Sequence, residues 1–243
     1  YFCMSILENQ KYSYLIGKQS IFFRIWKKLF YWYCNTVFTL YTPVKINGRK
    51  NLPSESAIFC SNHNSHMDVA LISSAVGKSF NHFGMLAAID YWFESKTRKI
   101  LTNFVMNLIP ISRSSRIKNS AIDFKDTITL CKHFMDYGNR NIVIFPEGSR
   151  GEPDIMKPFR NGAARFSLAL NKPIVPIYIN GSSKAWPKGK ILMRPCKITI
   201  NILEPIYPSD YISKDSADDM NTKKMTNHLE KMIVEERKKY GIK

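Results

Sequence analysis

Hydrophobic positions along most of the chain follow two alternating periods. Short apolar runs typical of buried strands occur at 57–60, 82–86, 141–145, 173–179 and 198–203. Segments with apolar residues at helical spacing occur at 68–76, 120–137, 159–170 and 216–233, the last opening on a capping-box pattern at Ser216 and Asp219. This alternation of strand and helix predicts an α/β fold built on a central sheet.

The first 44 residues have a different pattern. The part from 20 to 44 is crowded with aromatic residues and carries three basic residues near its start, Arg24, Lys27 and Lys28. Its charge-free stretch, 29–44, is shorter than the about 20 residues that cross a bilayer. We therefore predict a helix lying in the membrane interface, with its basic groups at the lipid phosphates. The alternative is a helix packed on the protein's own core.

Charge and cysteine content narrow the classes of partner. The chain has 36 basic and 19 acidic residues, a net charge of +17, which favours polyanionic partners. No nucleic-acid recognition motif is present, so we expect lipid headgroups or a phosphorylated substrate and no nucleic acid. The basic segment 184–197 is open to three interpretations: it faces lipid headgroups, it binds the phosphates of the acyl donor, or it is solvated. The five scattered cysteines indicate a reducing compartment and no metal site.

A polar turn rich in histidine follows the first apolar run. Asn62-His63 and Asp68 lie in this turn, at the end of a predicted strand, where α/β folds place active sites. A carboxylate on one imidazole nitrogen fixes the tautomer and lets the other nitrogen take a proton from a hydroxyl. His66 competes with His63 as the base but lacks an acid at the same spacing. The alternative is that His63 is a loop histidine that only forms a hydrogen bond with the backbone.

Two further strand ends carry arginine. Phe145-Pro-Glu-Gly-Ser-Arg-Gly151 offers the planar fork of Arg150 for a phosphate, and Glu147 to orient an arginine or an acceptor. The alternative there is a turn with a surface salt bridge. A third apolar strand starts at Asn107 and is followed by Arg113, which could hold a second face of the phosphate. The alternative is that Arg113 is only a solvated charge. Converging on one rim, the three clusters suit a hydroxyl nucleophile on a substrate that bears phosphate.

These motifs together resemble the phospholipid/glycerol acyltransferase family, which includes 1-acylglycerol-3-phosphate acyltransferases. The matching blocks, in the family's order, are Asn62-His63 to Asp68, Ile109 to Arg113, Phe145 to Arg150, and Val175-Pro-Ile177. Asn107 departs from the glycine that many members have. Segments 66–68 and 87–93 resemble the branch that is fused to an acyl-activating ligase. We therefore expect the chain, which starts with Tyr1, to be part of a longer fusion protein.

The resemblance implies a mixed sheet flanked by helices and an acyl transfer without metal or cofactor. His63 would deprotonate the acceptor hydroxyl, steadied by Asp68, and the acyl group would come from acyl-CoA or acyl-carrier protein. The residues implied in holding the phosphate of a lysophospholipid acceptor are Arg113, Glu147, Gly148, Ser149 and Arg150. We expect a membrane-associating segment over 1–44 and, over 45–243, an acyltransferase domain that ends in a docking helix, held peripherally on a cytoplasmic membrane face. A thioesterase or lysolipid hydrolase and a catalytically silent lipid-binding module are the alternatives.

Overall fold

The computed structural model describes residues 5–93, 102–112, 122–152, 155–187, 189–212 and 218–241. Its α-helices are α1 (Ser13–Ile16), α2 (Ile21–Leu40), α3 (Asp68–Val76), α4 (Ile89–Trp92), α5 (Phe124–Asp136), α6 (Gly162–Leu170), α7 (Ser182–Ala185) and α8 (Asp218–Lys238). Its strands are β1 (Val44–Asn47), β2 (Ile58–Ser61), β3 (Phe83–Ala88), β4 (Asn107–Ile111), β5 (Asn141–Ile144), β6 (Ile174–Asn180) and β7 (Ile198–Ile202). The chain forms two compact units, 1–30 with 78–143 and 31–77 with 144–243.

The unit formed by 31–77 and 144–243 contains a mixed sheet. Its strands lie in the order β1, β7, β6 and β2, and only the pairing of β6 with β7 is antiparallel. Helices α6 and α8 pack against this sheet, and α8 buries Met225, Leu229 and Ile233. All four residues of β2 are buried, as expected for a strand covered on both faces.

The unit formed by 1–30 and 78–143 contains parallel strands. Strand β3 pairs with β5 on one side and with β4 on the other. Helix α5 packs against β4, and its N-terminus is closed by a capping box between Asp123 and Asp126. Gly84 in β3 lies so close to Phe134 and Ile109 that an added Cβ would come within 2.8 Å of the Phe134 ring. A side chain at this position would therefore displace the core.

The predicted α/β class with a mixed sheet is confirmed. Helix α3 spans 68–76 as expected, and it ends at Gly77, whose positive φ of 75° closes the last turn. Strand β1 was not predicted, because its four residues include Lys45 and Asn47 and give no apolar run. Ser216, expected to begin the capping box of the last helix, lies outside the described residues.

Helix α2 carries the predicted aromatic segment. Its exposed apolar residues recur at helical spacing, namely Ile21, Phe22, Ile25, Leu29, Trp32, Tyr33 and Leu40. Over the described residues, none of the helices combines the length and the hydropathy required to span a bilayer.

Lys27 corrects one expectation for this helix. The sequence predicted it at lipid phosphates, but its side chain is fully buried. Its ammonium group donates to the amide oxygens of Gln19 at 2.9 Å, Asn103 at 2.6 Å and Asn107 at 2.5 Å. Burial, followed by the positive charge of Arg140, lowers the pKa of Lys27 from 10.5 to about 7. Three acceptors are needed because a buried ammonium without partners is very costly.

Asn107, the departure from the family pattern, belongs to the same network. Its side-chain nitrogen donates to the carbonyl of Phe83 at 2.8 Å and to that of Phe80 at 3.2 Å, while its oxygen accepts from Lys27. A glycine at this position would leave the ammonium group with one acceptor fewer. Asn107 therefore fits this chain because it holds a buried lysine at the start of β4.

Candidate active site

The structure brings His63 and Asp68 together in the loop between β2 and α3. Nδ1 of His63 lies 3.0 Å from Oδ2 of Asp68, and the carboxylate is fully buried. The pair meets because β2 ends at Ser61 and α3 begins at Asp68, so the intervening loop turns back on the helix N-terminus. With Nδ1 bonded to the carboxylate, the other ring nitrogen, Nε2, is the one that can accept a proton.

The Asp68 carboxylate is held by the loop as well as by histidine. Oδ2 also accepts the backbone N–H groups of Asn64 at 2.9 Å and Ser65 at 2.8 Å. Its other oxygen, Oδ1, is shielded from solvent and has no hydrogen-bond partner among the described residues. Donors that converge on one carboxylate oxygen fix the orientation of the carboxylate towards His63.

A second loop, which follows β5, covers the imidazole. The ring of Phe145 stacks on His63 with 3.8 Å between ring centres and a 13° interplanar angle. The N–H of Gly151 donates to the carbonyl of His63 at 2.8 Å. An added Cβ on Gly151 would come within 2.8 Å of the Ile155 carbonyl of the same loop and 3.2 Å of the side-chain nitrogen of Asn64 in the histidine loop, so glycine relieves crowding on both sides.

Glu147 joins the same two loops. Its Oε1 accepts the N–H of His63 at 2.8 Å, its Oε2 accepts the N–H of Lys157 at 3.0 Å, and the residue is 1% exposed. Burial raises the pKa of Glu147, while the two backbone hydrogen bonds oppose that rise. Each oxygen thus already accepts one backbone donor, and the predicted role of Glu147 in holding the acceptor stays a prediction. Glu147 positions the backbone of the histidine.

Replacement of Glu147 by glutamine tests this bracing. We expect Glu147→Gln to lower the free energy of unfolding by about 1–3 kcal/mol, because the amide NH₂ would face a backbone N–H and leave it unsatisfied. Urea denaturation measures the change. Glu152→Gln, at an exposed position on the same loop, is the matched control and should leave stability nearly unchanged. If the two variants were equally stable, Glu147 would not be a structural brace.

The polar end of this loop is occupied by cations. The guanidinium of Arg150 contacts the ring of His66, with Nη1 2.6 Å from Nε2. Burial, together with the charges of Arg150 and His63, lowers the pKa of His66. The ammonium of Lys157 donates to the Ser149 hydroxyl at 2.8 Å. Gly148 adopts a positive φ of 74°, which a residue with a side chain rarely does.

Two residues that build the site, Asn62 and Lys157, had no role assigned to them from the sequence. Asn62 pairs its side-chain amide with both backbone groups of Ile179 on β6, at 2.8 and 2.9 Å, and so ties the histidine loop to the sheet. Lys157 gave no signal beyond its charge. Arg113, a predicted phosphate ligand, lies outside the described residues.

Comparisons with known proteins agree with the motif pattern. A family model described as Acyltransferase matches residues 43–180. The chain is 29% identical over 182 residues to a protein from Limnanthes douglasii named 1-acyl-sn-glycerol-3-phosphate acyltransferase, a match over 73% of this chain and 59% of the relative. A Saccharomyces cerevisiae protein of the same name is 29% identical over 212 residues, 83% of this chain and 63% of the relative.

A solved structure shares the fold. The crystal structure of the 1-acyl-sn-glycerophosphate acyltransferase PlsC from Thermotoga maritima matches with a TM-score of 0.64 and 21% identity, over 95% of this chain and 84% of that one. The chain spans 59% of the length of the first curated relatives. Since the family model covers more than half of the chain, including the loops that hold His63, Asp68 and Glu147, the chain belongs to the Acyltransferase family.

Proposed function

We propose that this protein transfers a fatty acyl group from a thioester to a hydroxyl of a lysophosphatidate or similar glycerol-phosphate acceptor. The observation that carries the proposal is the buried carboxylate of Asp68, 3.0 Å from Nδ1 of His63, in a family of acyltransferases. The relatives' names support a lysophosphatidate acceptor. The donor is acyl-CoA or acyl-carrier protein, and no metal or cofactor takes part.

In the proposed reaction His63 is the general base. Its Nε2 takes the proton of the acceptor hydroxyl, and the oxygen attacks the thioester carbonyl carbon. Asp68 stabilises the resulting imidazolium through Nδ1. The carbon–sulfur bond of the tetrahedral intermediate then breaks, and the imidazolium returns the proton to the leaving thiolate. The acceptor becomes an ester, and a free thiol is released.

The acceptor phosphate is assigned to the loop that follows β5. Arg150, Ser149 and Lys157 supply positive charge and donors there, and Gly148 provides the αL turn of this loop. Arg113 remains a proposed member of this set. Arg150 would exchange its contact with His66 for the phosphate, because a guanidinium bonds more strongly to an anion than to a neutral ring.

Release of thiol from acyl-CoA, with and without lysophosphatidate, tests the proposal. We expect release that depends on the acceptor and yields one ester per thiol. Release at the same rate without acceptor would overturn acyl transfer in favour of a thioesterase. No release with acyl-CoA or acyl-carrier protein and any lysophospholipid would leave the lipid-binding module instead.

We further propose that residues 1–44 attach the protein to a membrane surface. Phe22 is 65% exposed and Leu29 59% exposed on one side of α2, an arrangement typical of helices that lie in the bilayer interface. A second exposed apolar surface is formed by Ile191 and Leu192, which are 89% and 80% exposed. Both residues belong to the basic segment 184–197. Apolar tips flanked by cations suit insertion among anionic headgroups.

The apolar face of α2 predicts vesicle binding. We expect the double variant Phe22→Ser/Leu29→Ser to bind phospholipid vesicles about tenfold or more weakly, because it removes apolar area worth over about 1.4 kcal/mol at the interface. Co-sedimentation measures the change. Ile212→Ser/Met220→Ser, which alters two residues of similar exposure elsewhere, should bind like the unmodified protein. Equal losses in both variants would contradict the assignment to α2.

A further inference from the structure

A basic cleft of about 710 Å³ lies within the unit formed by 1–30 and 78–143. Its volume is within the range of about 300–1,000 Å³ typical of ligand pockets. No acidic residue occurs among the described residues that line it. Its basic lining residues are Lys18, Arg24, Lys28, His82 and Arg140. None of them belongs to the loops around His63, so the proposed reaction leaves this concentration of positive charge unexplained.

Arg140 is a buried basic residue of this cleft. It is 8% exposed, and its guanidinium donates to the carbonyls of Leu15 and Gly17, each at 3.4 Å. The guanidinium also lies 4.6 Å from the centre of the Tyr137 ring. No carboxylate among the described residues forms an ion pair with it. A buried cation without a counterion is costly, so a bound anion would stabilise this arrangement.

The basic residues around Arg140 also favour a bound anion. Burial is the main factor that lowers the pKa of Arg140, and the positive charge of Arg24 lowers it further. Burial and the charges of Lys78 and Arg140 likewise lower the pKa of His82. Nδ1 of His82 is shielded from solvent and has no hydrogen-bond partner among the described residues. An anion in the cleft would relieve the repulsion between these cations.

The rim of the cleft is apolar. Ile21 and Ile25, from the exposed face of α2, line it beside Arg24 and are 67% and 54% exposed. A small soluble anion would leave these side chains in water. A lipid would place its phosphate among the cations and its glycerol and upper acyl chain against the isoleucines. Charge and apolar surface therefore favour a lipid over a free phosphate.

We propose that this cleft binds the phosphate headgroup of an anionic phospholipid, outside the loops that carry the acyl-transfer residues. Arg140 at the buried end and Arg24 and Lys28 at the exposed rim contact the phosphate. The inference rests on the membrane association proposed above and is independent of the acyl transfer. It makes attachment to the membrane selective for anionic lipid rather than dependent on apolar insertion alone.

Vesicle co-sedimentation of the full chain tests the cleft. The vesicles contain phosphatidylcholine, with or without added phosphatidate. We expect the unmodified protein to bind phosphatidate vesicles more tightly, and the double variant Arg24→Gln/Lys28→Gln to lose about tenfold or more of that gain. Both side chains are exposed, so the substitutions leave the core intact. Binding to pure phosphatidylcholine should be unchanged in this variant.

The matched control is Lys223→Gln/Lys224→Gln on α8, where two exposed lysines are neutralised with the same change in net charge. It should keep the gain from phosphatidate. Equal losses in the two double variants would overturn the site, because general electrostatic attraction would then explain binding. If soluble glycerol 3-phosphate bound the cleft as tightly as phosphatidate vesicles, and Arg24→Gln/Lys28→Gln weakened both equally, the lipid would be overturned as its ligand. If the unmodified protein bound neither vesicle type, the membrane association itself would fail, and this result differs from a loss confined to the gain from phosphatidate.

Discussion

Replacing His63 by alanine should lower acceptor-dependent thiol release by about 10²–10⁴-fold, the range that a positioned general base contributes. The proton of the acceptor hydroxyl would then have no acceptor aligned with the thioester. Folding should change little, because the imidazole is partly exposed and its backbone N–H still bonds to Glu147. Steady-state kinetics with saturating acceptor measures the loss in kcat, and circular dichroism checks the fold.

His66 provides the control for this prediction. It lies three residues along the same loop, but its ring contacts Arg150 and Trp186 and it makes no hydrogen bond with Asp68. His66→Ala should retain activity within about tenfold, since it removes no proton acceptor from the proposed reaction. If His66→Ala lost as much activity as His63→Ala, the assignment of the base would have to be given up.

Local patterns were sufficient for the elements that carry the site. The run 57–60 predicted β2 within one residue, and the expected helix 68–76 is α3. Both succeed because a fully buried strand is continuously apolar and a helix that begins after a polar turn starts sharply. The spacing of His63 and Asp68 likewise indicated a loop that folds back. Its closure required the second loop and Asn62, whose partner Ile179 lies far along the chain.

Lys27 shows why the same reasoning failed elsewhere. The charge of Lys27 was taken to indicate an exposed side chain. Lys27 in fact lies about 180° around α2 from the centre of the exposed apolar stripe of that helix. Only the acceptors Gln19, Asn103 and Asn107 make its burial possible, and two of them are distant in sequence. The backbone donors that meet the two oxygens of Glu147 were likewise not evident from the sequence, because His63 lies far from Glu147 along the chain. The contact of Glu147 with substrate stays a prediction.

Replacing Asp68 by asparagine should lower kcat by about 10²–10⁴-fold, by analogy with the loss of the acid in a catalytic triad. The amide oxygen of asparagine can take the place of Oδ2 and still accept the N–H groups of Asn64 and Ser65. Its NH₂ then occupies the place of Oδ1, which has no partner among the described residues. The loop therefore survives, but the negative charge that stabilises the imidazolium is gone.

Measuring stability together with kcat separates this catalytic role from a merely structural one. An unsatisfied buried NH₂ costs about 1–3 kcal/mol, so Asp68→Asn should unfold at lower urea while remaining folded in the assay. Asp136→Asn, at the exposed end of α5, should change neither quantity. If Asp68→Asn lost stability but kept its kcat, Asp68 would act only as a brace for the loop. His63 would then work without a charged partner, and the proposed mechanism would have to be revised at that step.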